Sequence, residues 1–199
     1  MYEKFLAAAG DRRLFLTYDR GKLEIMAPSR LHERPRRRIG RMIDVLTEEM
    51  GIPCEGCGMT TFRRQGLARG LEADECYYLA NAERVRGQRE IDLGRDPPPD
   101  LALEVEATRS ALDRMGVYAA LGVPEVWRYD GEALHVYRLR PDGEYELTEQ
   151  SLSFPSLPLP EFVEFLHRNL DLDETSFVRA FRKWVRKHAL PPKKRRRKR

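Results

Sequence analysis

Residues 97–106 read Pro-Pro-Pro-Asp-Leu-Ala-Leu-Glu-Val-Glu, and this stretch decides the fold. Proline has no backbone N–H to donate within a sheet, so the three prolines lie ahead of a strand rather than inside it. Alternate side chains of a strand point to opposite faces. One face is therefore apolar: Leu101, Leu103 and Val105. The opposite face carries three acids and one alanine: Asp100, Ala102, Glu104 and Glu106.

The acidic face indicates a function as well as a fold, because neighbouring carboxylates repel one another and are unfavourable to bury. Glu104 and Glu106 stand about 7 Å apart, at roughly 3.3 Å per residue, so both could reach one cation between them. Mg²⁺ or Mn²⁺ at that point would polarise a phosphoryl oxygen and activate a water. A strand at a sheet edge whose acids meet solvent is the alternative that the residues leave open.

A second acidic segment lies upstream. Residues 72–78 read Glu-Ala-Asp-Glu-Cys-Tyr-Tyr and predict another strand, on which Asp74, Cys76 and Tyr78 share a face. If this strand pairs with the strand of Glu104, Asp74 would complete a set of metal ligands. Spacing in the sequence does not establish that pairing.

The remaining patterns predict a layered domain of the α/β or α+β class. Alternating apolar residues indicate hairpins over 14–26 and 126–139, and apolar spacings of three and four indicate helices. The predicted helices lie at 35–50, 112–121, 161–170 and 174–189, and further strands at 60–62, 72–79, 101–105 and from Tyr145.

Length and composition limit the class of protein. The 199 residues, 41% of them apolar and 34% charged, suit one domain over residues 1–190 followed by a short tail. The sequence lacks a run of about 18 apolar residues, which predicts no membrane span, and its first residues lack the apolar segment of a secretory signal. Three cysteines are too few for a disulfide framework, so we expect a reducing, cytoplasmic environment.

Basic charge is concentrated at the end of the chain. Setting aside residues 193–199, all Lys or Arg, leaves 29 basic against 32 acidic residues, and the net charge of +4 becomes −3. Such a run repels itself and follows two prolines, so residues 191–199 are predicted to form a disordered tail. Its candidate nucleic-acid contacts are Lys193, Lys194, Arg195, Arg196 and Arg197. A solvated tail without a partner is the alternative.

Cys54 and Cys57 have the spacing of half a zinc site. No second such pair and no nearby pair of histidines follows in the sequence, so a four-ligand zinc site is not expected. We interpret both as ordinary thiols in a turn, and Cys76 as a small core residue.

Three ordered motifs resemble the Uma-two family of restriction-endonuclease-like proteins, which is abundant in cyanobacteria and similar bacteria. They are residues 72–78, residues 96–105 and residues 118–130, which read Tyr-Ala-Ala-Leu-Gly-Val-Pro-Glu-Val-Trp-Arg-Tyr-Asp. The resemblance extends over about residues 14–160. It implies a PD-(D/E)XK nuclease fold, with a mixed β-sheet flanked by helices and a site for a divalent metal ion.

Carried over residue by residue, the resemblance gives Asp74 the place of the aspartate in the first family motif and Glu104 that of the acid in the second. Glu106 falls where many such nucleases have the lysine of (D/E)XK. Arg114, four residues before Tyr118, falls where many family members have another lysine. The missing lysine is the main departure, because an ammonium can lose a proton whereas a guanidinium stays charged.

The resulting hypothesis is a metal-dependent DNA endonuclease. Asp74, Glu104 and Glu106 would bind Mg²⁺ or Mn²⁺, with Glu106 as a further ligand or a base. Arg114 would stabilise the charge that develops on the phosphate. One alternative is a protein of the same fold that binds nucleic acid or a protein partner without cleavage, and another is an interaction module whose acidic strand face docks a basic partner. A C₂ homodimer is the expectation for cutting a duplex.

Overall fold

The computed structural model describes residues 15–26, 30–58, 60–63, 69–106 and 112–190. Residues 191–199, the predicted tail, lie outside these ranges. The strands are β1 (Phe15–Asp19), β2 (Lys22–Met26), β3 (Glu55–Gly56), β4 (Thr61–Arg63), β5 (Arg69–Glu72), β6 (Glu75–Tyr78), β7 (Leu101–Val105), β8 (Glu125–Tyr129), β9 (Leu134–Leu139) and β10 (Tyr145–Thr148). The helices are α1 (Arg30–Met50), α2 (Ala82–Val85), α3 (Arg114–Leu121), α4 (Leu159–Arg168) and α5 (Glu174–His188).

The larger sheet has six strands in the order β10-β9-β8-β7-β6-β3. Strands β7 and β8 are parallel, and the chain passes through α3 between them; the other neighbouring pairs are antiparallel. Strand β7 is interior, and all five of its residues are buried. The alternative of an acidic strand at a solvent-facing edge is therefore wrong, because neighbours cover β7 on both sides.

The two faces of β7 belong to different parts of the core, as the alternation predicts. The face formed by Leu101, Leu103 and Val105 joins the apolar cluster that includes α1, α4 and α5. On the opposite face Ala102 joins a cluster with α3 and β5. A polar side chain at the next position on that face, Glu104, is therefore directed into the protein beneath α3.

The smaller sheet has four antiparallel strands in the order β2-β1-β5-β4. The single strand predicted over residues 72–79 is in fact parts of two, because the chain leaves the smaller sheet after Glu72, bends at Asp74 and enters the larger sheet at Glu75. Asp74 thus lies at the junction of the two sheets. Side-chain alternation does not reveal such a change of sheet.

Most other elements agree with the sequence predictions, including the first hairpin. Its turn residues Arg20 and Gly21 have φ values of 44° and 92°, the left-handed pair that suits a two-residue hairpin. Helix α1 begins at Arg30 rather than at Pro35, so this proline lies inside the helix, in its second turn, and leaves one backbone hydrogen bond unmade. Strand β3 and helix α2 were not predicted, since both are too short to show periodicity. No helix in the described ranges is long and apolar enough to cross a membrane.

Candidate active site

Asp74 is held at the bend between the sheets through one carboxylate oxygen. Its Oδ2 lies 2.9 Å from His32 Nε2 and accepts a hydrogen bond from the backbone N–H of Val105 at 2.7 Å. Arg36 donates to the backbone oxygen of Asp74 at 3.0 Å. The side chain is only 5% exposed, so groups from α1 and β7 determine where its second oxygen points.

His32 lies buried between two acids. Its Nε2 faces Asp74, and its Nδ1 is 3.2 Å from Glu33 Oε1. Burial lowers the pKa of His32, but the hydrogen bonds and charges of Asp74 and Glu33 outweigh burial, so the pKa is raised. The two acids therefore favour the imidazolium form of His32 relative to an ordinary histidine, and that form would compensate the Asp74 charge.

Glu104 is directed toward α3 and is 7% exposed. Its Oε1 accepts hydrogen bonds from the Tyr118 hydroxyl and from Arg114, the latter at 2.5 Å. The antiparallel register of β6 and β7, continued by one position, sets Asp74 opposite Glu104. The structure therefore brings together the two acids that the sequence singled out in separate segments.

The electrostatics of Glu104 are dominated by burial, which raises its pKa. The charge of Arg114 lowers this pKa and the charge of Asp74 raises it, and the net pKa lies above the usual range. Burial also disfavours the charged form of Arg114, but the Glu104 carboxylate more than offsets this, so the pKa of Arg114 is raised. Arg114 therefore remains a cation beside Glu104, and each of the two side chains is 10% exposed.

Arg114 joins both sheets. It donates to the hydroxyl of Thr17 in β1, to the backbone oxygen of Glu72 in β5 at 2.8 Å, and to Glu104 in β7. Tyr118 lies four residues further along α3, on the same helix face, so both reach the same carboxylate. The sequence predicted a phosphate-stabilising role for Arg114; the structure places it as the counter-ion of Glu104.

Glu106 is not brought into the pair. Its carboxylate forms an ion pair with Arg128 of the neighbouring strand β8, and its side chain is 35% exposed. Within the described ranges, no three His, Cys, Asp or Glu side chains form a group suited to a metal ion. The predicted set of three carboxylates is therefore not assembled by the residues that the structure describes.

The Asp74–Glu104 pair nevertheless suits a hard divalent ion by its chemistry. Mg²⁺ is commonly held by one or two carboxylates and completes its coordination with waters and substrate phosphates. Among the described residues, Asp74 Oδ1 and Glu104 Oε2 accept no hydrogen bond, so each acid keeps one unengaged oxygen. The adjacent charge of Arg114 opposes a cation, so the pair suits a single weakly held ion better than a two-ion centre.

Sequence reasoning missed some of the residues around the pair. His32, Arg36 and Tyr118 were not identified as site residues. The available signal was helical spacing, because Arg36 follows His32 by four residues and Tyr118 follows Arg114 by four. The five basic residues predicted to contact nucleic acid, Lys193–Arg197, lie outside the described ranges.

A comparison with solved structures shows which proteins share this fold. A crystal structure described as that of a putative nuclease belonging to DUF820, from Anabaena variabilis, matches with a TM-score of 0.50 and 15% sequence identity, over 85% of this chain and 90% of that one. At this identity the likeness shows a shared fold, and it confirms the predicted restriction-endonuclease-like architecture of a mixed sheet flanked by helices.

The family follows from the sequence itself. The model of the Uma2 family, described as "Putative restriction endonuclease", matches residues 2–173. The chain belongs to this family, as the three motifs predicted. No curated protein matches the sequence.

Proposed function

We propose that the chain is a nuclease that hydrolyses phosphodiester bonds of DNA at the Asp74–Glu104 pair. The observation that carries the proposal is the placement of two buried acids opposite each other, Asp74 at the bend between the sheets and Glu104 on β7. Burying two carboxylates side by side opposes stability, and such arrangements are concentrated at functional sites. Membership of the family described as "Putative restriction endonuclease" supports a nucleic-acid substrate.

Asp74 and Glu104 would hold Mg²⁺ or Mn²⁺ through their unengaged oxygens. When bound, the ion would polarise a phosphoryl oxygen and lower the pKa of a bound water. The chain's other residues position the two ligands: His32 and the Val105 N–H orient Asp74, and Arg114 with Tyr118 orients Glu104 and favours its ionised form. Glu106 is left out of the proposal because Arg128 engages its carboxylate.

Plasmid nicking in Mg²⁺ or Mn²⁺ tests the proposal. Asp74→Asn and Glu104→Gln keep the side-chain shape but remove the charge that would hold the ion, and we expect each to reduce nicking about 100-fold or more. Glu149→Gln changes an exposed acid far along the chain and serves as the matched control. Nicking that survives in both site variants, with circular dichroism showing them folded, would remove the pair from the mechanism.

Binding without cleavage is a second function with an observation in its favour. Glu104 Oε1 already accepts two hydrogen bonds, and the cation beside it is an arginine that cannot release a proton. A non-cleaving protein would bind a fluorescent duplex with or without Mn²⁺ and leave it intact over hours. Isothermal titration calorimetry with Mn²⁺ separates the two functions further, because the nuclease requires the ion to bind the Asp74–Glu104 pair.

The homodimer and the cytoplasmic location stay predictions. A dimer would place two such sites on opposite strands of a duplex, as a symmetric double-strand cut requires. Light scattering coupled to gel filtration would distinguish the 23.2 kDa monomer from a species of twice that mass.

A further inference from the structure

The Cys54–Cys57 segment does not act as a unit, because its thiols lie on opposite faces of the larger sheet. Strand β3 occupies the two positions between them, so alternation sends the two side chains apart. Cys54 packs against the apolar cluster on the α1 side, where it contacts Thr47. Cys57 packs against the clusters of the other face.

Cys57 meets Cys76 instead. The register of β3 and β6 sets Gly56 opposite Tyr77, and the next position sets Cys57 opposite Cys76. The Cys57 N–H donates to the backbone oxygen of Cys76 at 2.9 Å, and the Cys76 thiol donates to the backbone oxygen of Gly58, the residue after Cys57, at 3.3 Å. Directly opposed residues of antiparallel strands have Cα atoms about 4.5–5.5 Å apart, within the range that a disulfide spans.

The two thiols differ in access. Cys57 is half-buried and Cys76 is fully buried. An oxidant reaches the more accessible thiol first, so Cys57 is suited to meet the oxidant and Cys76 is suited to resolve the product.

We propose that Cys57 and Cys76 form a reversible disulfide on exposure to hydrogen peroxide. The Cys57 sulfur attacks a peroxide oxygen, the O–O bond breaks, and a sulfenic acid forms at Cys57 with release of one water. The Cys76 sulfur then attacks the Cys57 sulfur, the S–O bond breaks, and the departing hydroxide takes the Cys76 proton as a second water. Two thiols lose two electrons and one peroxide gains them; a dithiol reductant reverses the reaction.

The disulfide would enclose residues 58–75, the part of the chain that carries β4, β5 and Asp74. A cross-link around a loop of this length restricts the unfolded chain, so we expect the Tm of the oxidised protein to rise by about 5–10 °C. The inference is independent of nuclease activity, since neither the reaction nor its stabilising effect involves DNA or a metal ion.

The test oxidises the full-length chain with hydrogen peroxide, alkylates the remaining thiols and analyses the product by intact-mass and peptide mass spectrometry. We expect a loss of two hydrogens, a peptide link between Cys57 and Cys76, alkylation at Cys54 only, and a Tm that returns to its starting value with dithiothreitol. Cys57→Ser should abolish the link and the Tm shift, whereas Cys54→Ser should retain both. A link between Cys54 and Cys57, or three thiols still open to alkylation after peroxide, would overturn the inference, and the wild-type chain alone suffices to show either.

Discussion

Arg114 joins three strands around the candidate site through the shape of its side chain. A planar guanidinium donates several hydrogen bonds at once, which lets Arg114 contact Glu104, Thr17 and the backbone of Glu72 together. A lysine has a single ammonium group and would not join these three elements in the same geometry. The exchange of lysine for arginine therefore adds a structural role at a position where the family resemblance implies a chemical one.

Replacing Arg114 by methionine tests this structural role. The change would leave Glu104 buried without its counter-ion, so we expect the free energy of unfolding to fall by about 3–5 kcal/mol. Urea denaturation at pH 7 measures the loss. The matched control is Arg128→Met, which breaks the half-exposed pair with Glu106 and should cost at most about 1 kcal/mol. Equal losses in the two variants would contradict a special role for Arg114.

At the scale of elements, the β8–β9 hairpin shows how a turn residue stabilises a strand pair. Asp130 accepts hydrogen bonds from the backbone N–H groups of Ala133 and Glu132 at 2.8 and 2.9 Å, and lies 3.1 Å from His135 Nε2. These contacts lower the pKa of Asp130 from 3.8 to about 2, and the hydrogen bond from the Ala133 N–H has the largest effect. The ionised carboxylate thus favours the folded turn.

The sign of the pH dependence follows from the lowered pKa of Asp130. Stabilisation by the ionised carboxylate is complete above pH 3.8 and is lost as the pH falls through the folded-state value of about 2. Because this side chain is 41% exposed, we expect Asp130→Ala to cost only about 1 kcal/mol at pH 7. Urea denaturation of both proteins between pH 7 and pH 2.5 should show the difference shrinking toward the acid end; a constant difference would show that the charge is irrelevant.

At the scale of the whole molecule, the C-terminal part of the described chain packs on the larger apolar cluster. Helix α5 is packed through Phe177, Phe181 and Val185, and the buried Ala189 follows it. Leu190 still contacts this cluster. The domain over residues 1–190 and the disordered tail after it stay predictions.

Removing residues 191–199 should weaken the binding of DNA and leave the stability of the fold almost unchanged. We expect the free energy of unfolding to change by less than about 0.5 kcal/mol, because the removed segment contains only prolines, lysines and arginines. Affinity for duplex DNA should fall, and the slope of log K against log salt should decrease by about 0.9 for each phosphate contact removed. Fluorescence anisotropy between 50 and 200 mM salt measures the affinity and this slope, because phosphate-driven binding changes strongly over about this range.

The control for this truncation is a full-length chain in which residues 193–199 are all glutamine. It preserves the length of the tail and should bind as weakly as the truncated chain if charge is the cause. Unchanged affinity in both variants would assign the binding of DNA to the folded domain alone.

Local patterns in the sequence determined most of the secondary structure and the two-faced strand β7. Prolines, turn residues and apolar spacings act within a few positions of one another, so they can be interpreted without knowledge of the rest of the chain. The family could be predicted from the sequence for the same reason, because each of its motifs is a continuous segment. The edge-strand alternative failed because burial of the acidic face depends on which elements cover it.

Only the tertiary structure decided which side chains meet. Asp74 faces Glu104 because the chain changes sheets at Asp74 and then pairs with β7 in one particular register. Glu106, two positions from Glu104, pairs with Arg128 because β8 lies beside it. In each case the contact joins segments that are distant in sequence, and the register between strands depends on the packing of the whole core rather than on any local pattern.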